Sequence, residues 1–161
     1  MEIRPLGKND SPSLWKINEE GLPGTGEVSE EEIVSLLDYS ELSIGAFEGD
    51  RLLGFVICLP PGTEYASLNY AWFNQRYDNF LYVDRIAVSP DSRNQNVGTS
   101  LYAEVISVAR ENEVPVAAEV NLVPPNPGSV RFHERNGFTK VGVFNHGSKS
   151  VTMLLRPMYP V

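Results

Sequence analysis

The chain has 161 residues, a formal net charge of −8 at pH 7 and one cysteine, Cys58. This length suits one domain with a single hydrophobic core. The acidic balance argues against nucleic acid as a partner, because neutralising phosphates requires clustered Lys and Arg. A lone cysteine excludes an intrachain disulfide or cysteine metal site, and its apolar, strand-like surroundings favour a buried, inert thiol over a nucleophile.

Membrane and export signals are not visible in the sequence. No apolar run approaches the roughly 20 residues that a transmembrane helix needs. The first residues also lack the basic start and apolar block of a signal peptide. We therefore expect a cytoplasmic protein with no membrane partner.

The first 60 residues predict one strand, two helices and a hairpin. The strand covers 2–6, with Pro5 marking a sheet edge, and a helix starts near Ser11 or Pro12. Ser29 and Glu32 form a capping box for a second helix that ends near Tyr39. The glycine-rich stretch between these helices, 21–26, is a candidate mobile loop. A hairpin signal then joins 42–47 to 51–59.

The connection from 60 to 79 is unusually long for a compact domain and is rich in aromatic residues. It carries Tyr65, Tyr70, Trp72, Phe73 and Tyr77. Two interpretations remain open at this point. The segment is either a functional aromatic loop or a short packed helix around 67–75 that covers the sheet.

The second half of the chain alternates strands and helices. Strands are predicted at 80–88 and 115–121, and a helix at 96–113 lies between them. Asn126 and Gly137 fit the N-cap and the C-terminal stop of a further helix. Strands at 138–144 and 150–156 flank a turn in which His146 is expected to be solvated. This order indicates a mixed α/β (α+β) fold in a single domain, 1–161.

The segment 86–101 is the most informative part of the chain. An apolar strand ends there in a polar turn and a helix follows almost at once, so the backbone N–H groups converge on a candidate anion site. Asn94 and Asn96 lie in this turn, and Asn is the non-glycine residue that best tolerates the left-handed region. The alternative is an ordinary turn in which Gly98 only permits close helix packing.

This turn resembles the pyrophosphate loop of the GNAT superfamily of acyl-CoA-dependent N-acetyltransferases. The family pattern is Arg or Gln, two residues, Gly, one residue, and Gly or Ala. Gln95, Gly98 and Ser100 fit that spacing, although Ser100 replaces the usual small residue and asparagines stand where members have glycines. The segment 126–138 is similar to a second GNAT segment, with Asn126 and His133 at its Asn and Tyr positions. Both segments occur at the expected separation.

The resemblance implies a twisted, mixed, mostly antiparallel sheet of six or seven strands flanked by about four helices. It implies that this sheet splays between the strands at 80–88 and 115–121. It also implies acetyl-CoA as the acyl donor and no metal. The implied cofactor-binding residues are Ile86, Ala87, Val88, Arg93, Asn94, Gln95, Asn96, Val97, Gly98, Thr99, Ser100, Asn126, Ser129, Phe132 and His133.

The chemistry that the resemblance implies is direct attack of an amine on the thioester. The main chain of 86–88 would stabilise the oxyanion. His133 is a candidate acid for the leaving thiolate, with a surface histidine as the alternative. Glu119, in a segment similar to the Leu-Glu-Val run of enzymes that acetylate ribosomal-protein N-termini, is the candidate base, and the alternative is a structural carboxylate satisfied by a neighbouring strand. Asp84, Tyr82 or a water molecule could take its place, because 82 and 84 project to one face.

The acceptor is expected to be a primary amine of a small molecule or peptide. The implied acceptor side is lined by 21–26, 65–77 and the last hairpin. A non-catalytic acyl-CoA-binding or sensing module is the alternative function, and a homodimer is one option for the assembly. A nucleotide-binding loop is disfavoured, because the Gly-Lys-Ser/Thr ending is absent.

Overall fold

The computed structural model describes residues 1–158 and contains seven strands and five α-helices in that range. The strands are β1 (Glu2–Pro5), β2 (Leu42–Glu48), β3 (Arg51–Leu59), β4 (Leu81–Val88), β5 (Val116–Val123), β6 (Thr139–His146) and β7 (Lys149–Arg156). The helices are α1 (Ser11–Glu20), α2 (Glu30–Tyr39), α3 (Leu68–Arg76), α4 (Val97–Asn112) and α5 (Pro127–Arg135). The predicted α/β class is confirmed.

The strands follow the order β1-β2-β3-β4-β5-β7-β6 in one mostly antiparallel sheet. β4 and β5 form a parallel pair whose ladder comprises Leu81 with Val116 and Tyr82 with Ala117. A ladder of two residue pairs is short for strands of eight residues, which agrees with the splay that the sequence predicts between these strands.

Local capping signals set the helix boundaries. Ser29 Oγ accepts the N–H of Glu32, and the Glu32 carboxylate accepts the N–H of Ser29, which completes the predicted capping box of α2. Asn126 Oδ1 accepts the N–H of Ser129 at the start of α5, as predicted. Gly137 follows this helix at φ +90° and supplies its left-handed stop.

The described chain divides into two compact units. The first comprises Met1–Leu59 and Val83–Val105. In it, α1 packs on α2, and both helices pack on β3. Its buried core is mostly aliphatic, with Phe55 and Tyr102 also fully buried, and includes Leu14, Ile17, Ile33, Leu36, Val56 and Ile57.

The second unit comprises Pro60–Tyr82 and the chain from Ile106 onward. Its core is aromatic, with the rings of Tyr70 and Phe73 on α3 lying 5.2 and 5.7 Å from the ring of Tyr82. Trp72, also on α3, lies directly over Gly142 of β6, where an added Cβ would come within 2.8 Å of the indole. The connection from 60 to 79 therefore contains the packed helix that was one of its two interpretations.

None of the helices in residues 1–158 is both long enough and apolar enough to cross a bilayer.

Candidate active site

The turn before α4 has the backbone geometry that its asparagines predict. Asn94 and Asn96 adopt φ values of +64° and +62°, both in the left-handed region. The first helical hydrogen bond runs from Ser100 N to Asn96 O at 3.0 Å, so the N–H groups of Val97, Gly98 and Thr99 precede the intrahelical ladder. These groups and the positive end of the α4 dipole form a site suited to an anion.

Gly54 on β3 fixes the start of this turn by close packing. A Cβ at Gly54 would lie 2.9 Å from the carbonyl oxygen of Ala87 and 3.0 Å from Cγ1 of Val97. Ser89 N also donates to Leu53 O at 2.8 Å. The backbone on both sides of the turn is therefore held against β3. The side chain of Arg93 is exposed, and its Nε lies 3.4 Å from Val88 O.

The remaining predicted residues of this segment lie on β4 and in the turn. Ile86, Ala87 and Val88 come after the last residue pair of the ladder between β4 and β5. Gln95 is exposed, and its Nε2 lies 3.4 Å from Asp91 O. A pyrophosphate fits this donor set, because main-chain N–H groups and one guanidinium are what such an anion binds.

Glu119 and Tyr82 are brought together in the second unit. Tyr82 pairs with Ala117 in the ladder, and strand alternation places Glu119 on the same face as Ala117. The fully buried Tyr82 hydroxyl donates to Glu119 Oε1 at 2.6 Å. Glu119 itself is half-buried. The carboxylate therefore has a fixed orientation, and its Oε2 atom is buried.

Asn69 and His146 complete a hydrogen-bonded cluster around this carboxylate. Asn69 Nδ2 donates to Glu119 Oε1 at 3.3 Å, and Asn69 Oδ1 lies 3.1 Å from His146 Nε2. His146 is half-buried at the end of β6, with its ring 4.7 Å from that of Phe144. The expectation of a solvated turn histidine is wrong. Strand β6 extends through His146, so the turn begins at the next residue, and Asn69 of α3 supplies a hydrogen-bond partner.

Asp84 is not part of this cluster. Its side chain is 3% exposed and accepts a hydrogen bond from Arg85 Nε at 2.7 Å. Arg85 Nη1 in turn donates to Asn18 Oδ1 and Gly26 O at 2.9 and 3.1 Å. This buried ion pair therefore connects β4 with α1 and with the end of the glycine-rich stretch 21–26, and Asp84 serves there as a structural carboxylate.

His133 is a buried residue of α5, not the surface histidine that was the alternative to an acid. Its Nδ1 lies 2.7 Å from Ser129 O, and its ring makes edge contacts with Phe132 and Phe138 at 5.6 and 5.1 Å. Desolvation lowers the pKa of His133 below 6.5, although the bond to Ser129 O opposes the shift. The neutral imidazole is therefore favoured at neutral pH, and its Nδ1 hydrogen points to a carbonyl.

The thiol of Cys58 is fully buried on β3. Burial, and to a lesser extent the carboxylates of Asp84 and Glu41, raise its pKa far above the ordinary range. The prediction of a buried thiol is confirmed, and this thiol is poorly suited to carry an acyl group.

The model of the acetyltransferase (GNAT) family matches residues 12–138. The chain belongs to the GNAT family. None of the curated proteins compared with this GNAT protein matches it significantly.

Solved structures share its fold at low sequence identity. The ribosomal-protein-S18-alanine N-acetyltransferase of Escherichia coli has 18% identity and a TM-score of 0.75, covering 98% of this chain and 93% of that one. NAA60 of Arabidopsis thaliana, in complex with a bisubstrate analogue, has 19% identity and a TM-score of 0.75, covering 96% and 95%. The yncA protein of Salmonella typhimurium, with its cofactor acetyl-CoA, has 15% identity and a TM-score of 0.72, covering 99% and 94%.

Proposed function

We propose that this GNAT protein is an acetyl-CoA-dependent N-acetyltransferase that acts on a primary amine by direct attack. The observation that carries the proposal is Glu119, a half-buried carboxylate oriented by a buried tyrosine hydroxyl. A carboxylate in this setting can accept a proton from an ammonium group. The hydrogen bond from Tyr82 fixes its orientation for that step.

The turn from Arg93 to Ser100 is the proposed pyrophosphate site. Its two left-handed asparagines are typical of turns whose main-chain N–H groups bind an anion, and the first turn of α4 adds further donors. The main chain of 86–88 is the proposed site for the pantetheine and the oxyanion. When bound, acetyl-CoA supplies an acetyl group activated as a thioester.

Glu119 is the proposed general base. An amine must be neutral to attack a carbonyl carbon, so the carboxylate accepts one proton from the incoming ammonium. The amine nitrogen then forms the bond to the acetyl carbon, and the carbon–sulfur bond breaks. The second proton that the nitrogen loses neutralises the departing thiolate. No covalent link to the chain forms, which is consistent with the burial of Cys58.

Tyr82 and His133 have structural parts in this proposal. The Tyr82 hydroxyl is occupied as a donor to Glu119 and therefore orients the base instead of acting as one. His133 is favoured as a neutral, buried side chain, which is not the protonated form that an acid requires. Its contacts with Phe132 and Phe138 pack α5 and the turn that follows it.

The proposed acceptor is a primary amine on a small molecule or a peptide. Asn69 of the segment 65–77 donates to Glu119, and His146 of the last hairpin donates to Asn69, which supports an acceptor site formed by these two segments beside the proposed base. The net charge of −8 favours a cationic acceptor over an anionic one.

Glu119→Gln tests the proposal directly. The variant should lower kcat/KM for the amine by about 10²–10³-fold, because it removes the base without changing side-chain size. It should leave the affinity for acetyl-CoA unchanged. The measurements are thiol release from acetyl-CoA and calorimetric titration with acetyl-CoA, with the exposed Glu134→Gln on α5 as the matched control.

Two results would count against this assignment. Full activity of Glu119→Gln would show that another group or water is the base. Tight acetyl-CoA binding by the wild-type protein without turnover, across peptide and small-molecule amines, would favour the alternative of a non-catalytic acyl-CoA-binding or sensing module.

A further inference from the structure

Glu119 lies in a chain of hydrogen bonds that extends through Asn69 to His146. The distances are 3.3 Å from Asn69 Nδ2 to Glu119 Oε1 and 3.1 Å from Asn69 Oδ1 to His146 Nε2. The three residues come from α3, β5 and the end of β6. One amide therefore joins the proposed base to the last hairpin.

The chemistry of these groups fixes the direction of the hydrogen bonds. A carboxylate only accepts, so Asn69 must present its amide nitrogen to Glu119. An amide oxygen also only accepts, so Nε2 of His146 must carry a hydrogen. Because the charged imidazole and one neutral tautomer both meet this condition, the chain of bonds does not depend on the charge of His146.

Both ends of the Asn69 amide are thus in use. Its backbone position is fixed because α3 is capped by Ser67 and anchored by the buried rings of Tyr70 and Phe73. The side chain of Asn69 is only half-buried, so its amide is held mainly by its hydrogen bonds with Glu119 and His146. The ring of His146 lies 4.7 Å from the ring of Phe144 and is tilted by 36° to it.

We propose that Asn69 and His146 are positioning residues for Glu119. His146 holds the Asn69 amide, and the amide, together with the Tyr82 hydroxyl, fixes the carboxylate for proton transfer from the acceptor amine. The inference rests on the proposed role of Glu119. The end of β6 would then do more than line an acceptor site, because His146 would set the orientation of the Glu119 carboxylate.

Two substitutions at His146 separate the hydrogen bond from packing. His146→Phe keeps an aromatic ring beside Phe144 but removes the donor, and it should lower kcat about tenfold with little change in acetyl-CoA affinity. His146→Gln retains an N–H donor on a side chain of similar reach, and it should keep kcat within about twofold of wild type. Glu111→Gln, exposed near the end of α4 and outside the segments proposed to bind either substrate, is the control and should have wild-type kcat.

A double-variant cycle tests whether His146 acts through the base. In the Glu119→Gln background, His146→Phe should produce no further loss, because there is no carboxylate left to position. An equal tenfold loss in both backgrounds would show that His146 supports activity in another way and would overturn the proposal. Wild-type kcat in a folded His146→Phe variant would overturn it as well.

A readout without activity keeps this inference distinct from the proposed function. The two side-chain amide protons of Asn69 should resonate away from the positions of a solvated asparagine amide in the wild-type protein and in His146→Gln. In His146→Phe they should move toward the positions of a solvated asparagine, since the amide oxygen has lost its donor. Unchanged resonances would overturn the inference even if Glu119 is the base. If Glu119→Gln is fully active, the base assignment fails, and with it the positioning role, whatever the amide shows.

Discussion

His133 gives the stability of the protein a specific pH dependence. Its pKa in the folded state is lowered, so the unfolded chain binds a proton more readily at pH values below about 6.5. The contribution of the neutral His133 to the free energy of unfolding is therefore complete above about pH 6.5. It is lost as the pH falls toward the pKa of His133 in the folded state. Each pKa unit of lowering corresponds to about 1.4 kcal/mol.

The variant His133→Gln should remove this part of the pH dependence. Urea unfolding between pH 7.5 and 5 should give a shallower slope of unfolding free energy for His133→Gln than for wild type. Gln75→Ala, an exposed substitution that changes no titrating group, is the control and should leave the slope unchanged. Equal slopes for wild type and His133→Gln would contradict this effect of burial on His133.

Single residues also differ in how far the sequence predicts them. The left-handed asparagines were predictable because φ preference is a property of the residue itself. The burial of His133 was not, because its helix face is mostly polar and a covering side chain comes from the turn after α5. His146 was missed for a similar reason, since its partner Asn69 lies 77 positions away.

Elements were predicted best where a local signal marks their ends. The capping box of α2 and the N-cap of α5 both occur as expected, because each depends on residues within one helical turn. The end of β5 was placed two residues early, at 121 instead of Val123, because the pairing that extends it comes from β7. Strand length depends on a partner that local sequence does not identify.

The turn before α4 makes the clearest prediction at the scale of elements. Asn94→Gly and Asn96→Gly should bind coenzyme A as tightly as wild type, because glycine adopts positive φ without steric cost. Asn94→Val and Asn96→Val should each weaken binding by about tenfold or more, because a β-branched residue is strained in the left-handed region.

Calorimetric titration with coenzyme A measures these affinities directly. Asp50→Val, an exposed substitution in the β2–β3 turn, provides a control for adding an apolar side chain at the surface. If the valine variants bind as wild type does, the backbone conformation of this turn does not govern the cofactor site.

At the scale of the whole molecule, the net charge and the local hydrogen-bond donors have opposite effects on an anionic ligand. A net charge of −8 repels an anionic cofactor at long range, so the proposed affinity for acetyl-CoA would come from the local donors of the turn before α4. The family and the fold were accessible from the sequence because two short motifs and the element order point to them together. The cluster around Glu119 required the structure, since α3 and β6 reach it only through tertiary packing.

We propose that the chain transfers an acetyl group directly from acetyl-CoA to an amine. The deciding measurement is the initial rate of thiol release while acetyl-CoA and a peptide or small-molecule amine are both varied. Direct transfer predicts release that requires the amine, with intersecting double-reciprocal lines because no acyl-enzyme forms. Parallel lines would contradict direct attack, and the absence of amine-dependent release from a protein that binds acetyl-CoA would contradict the acetyltransferase itself.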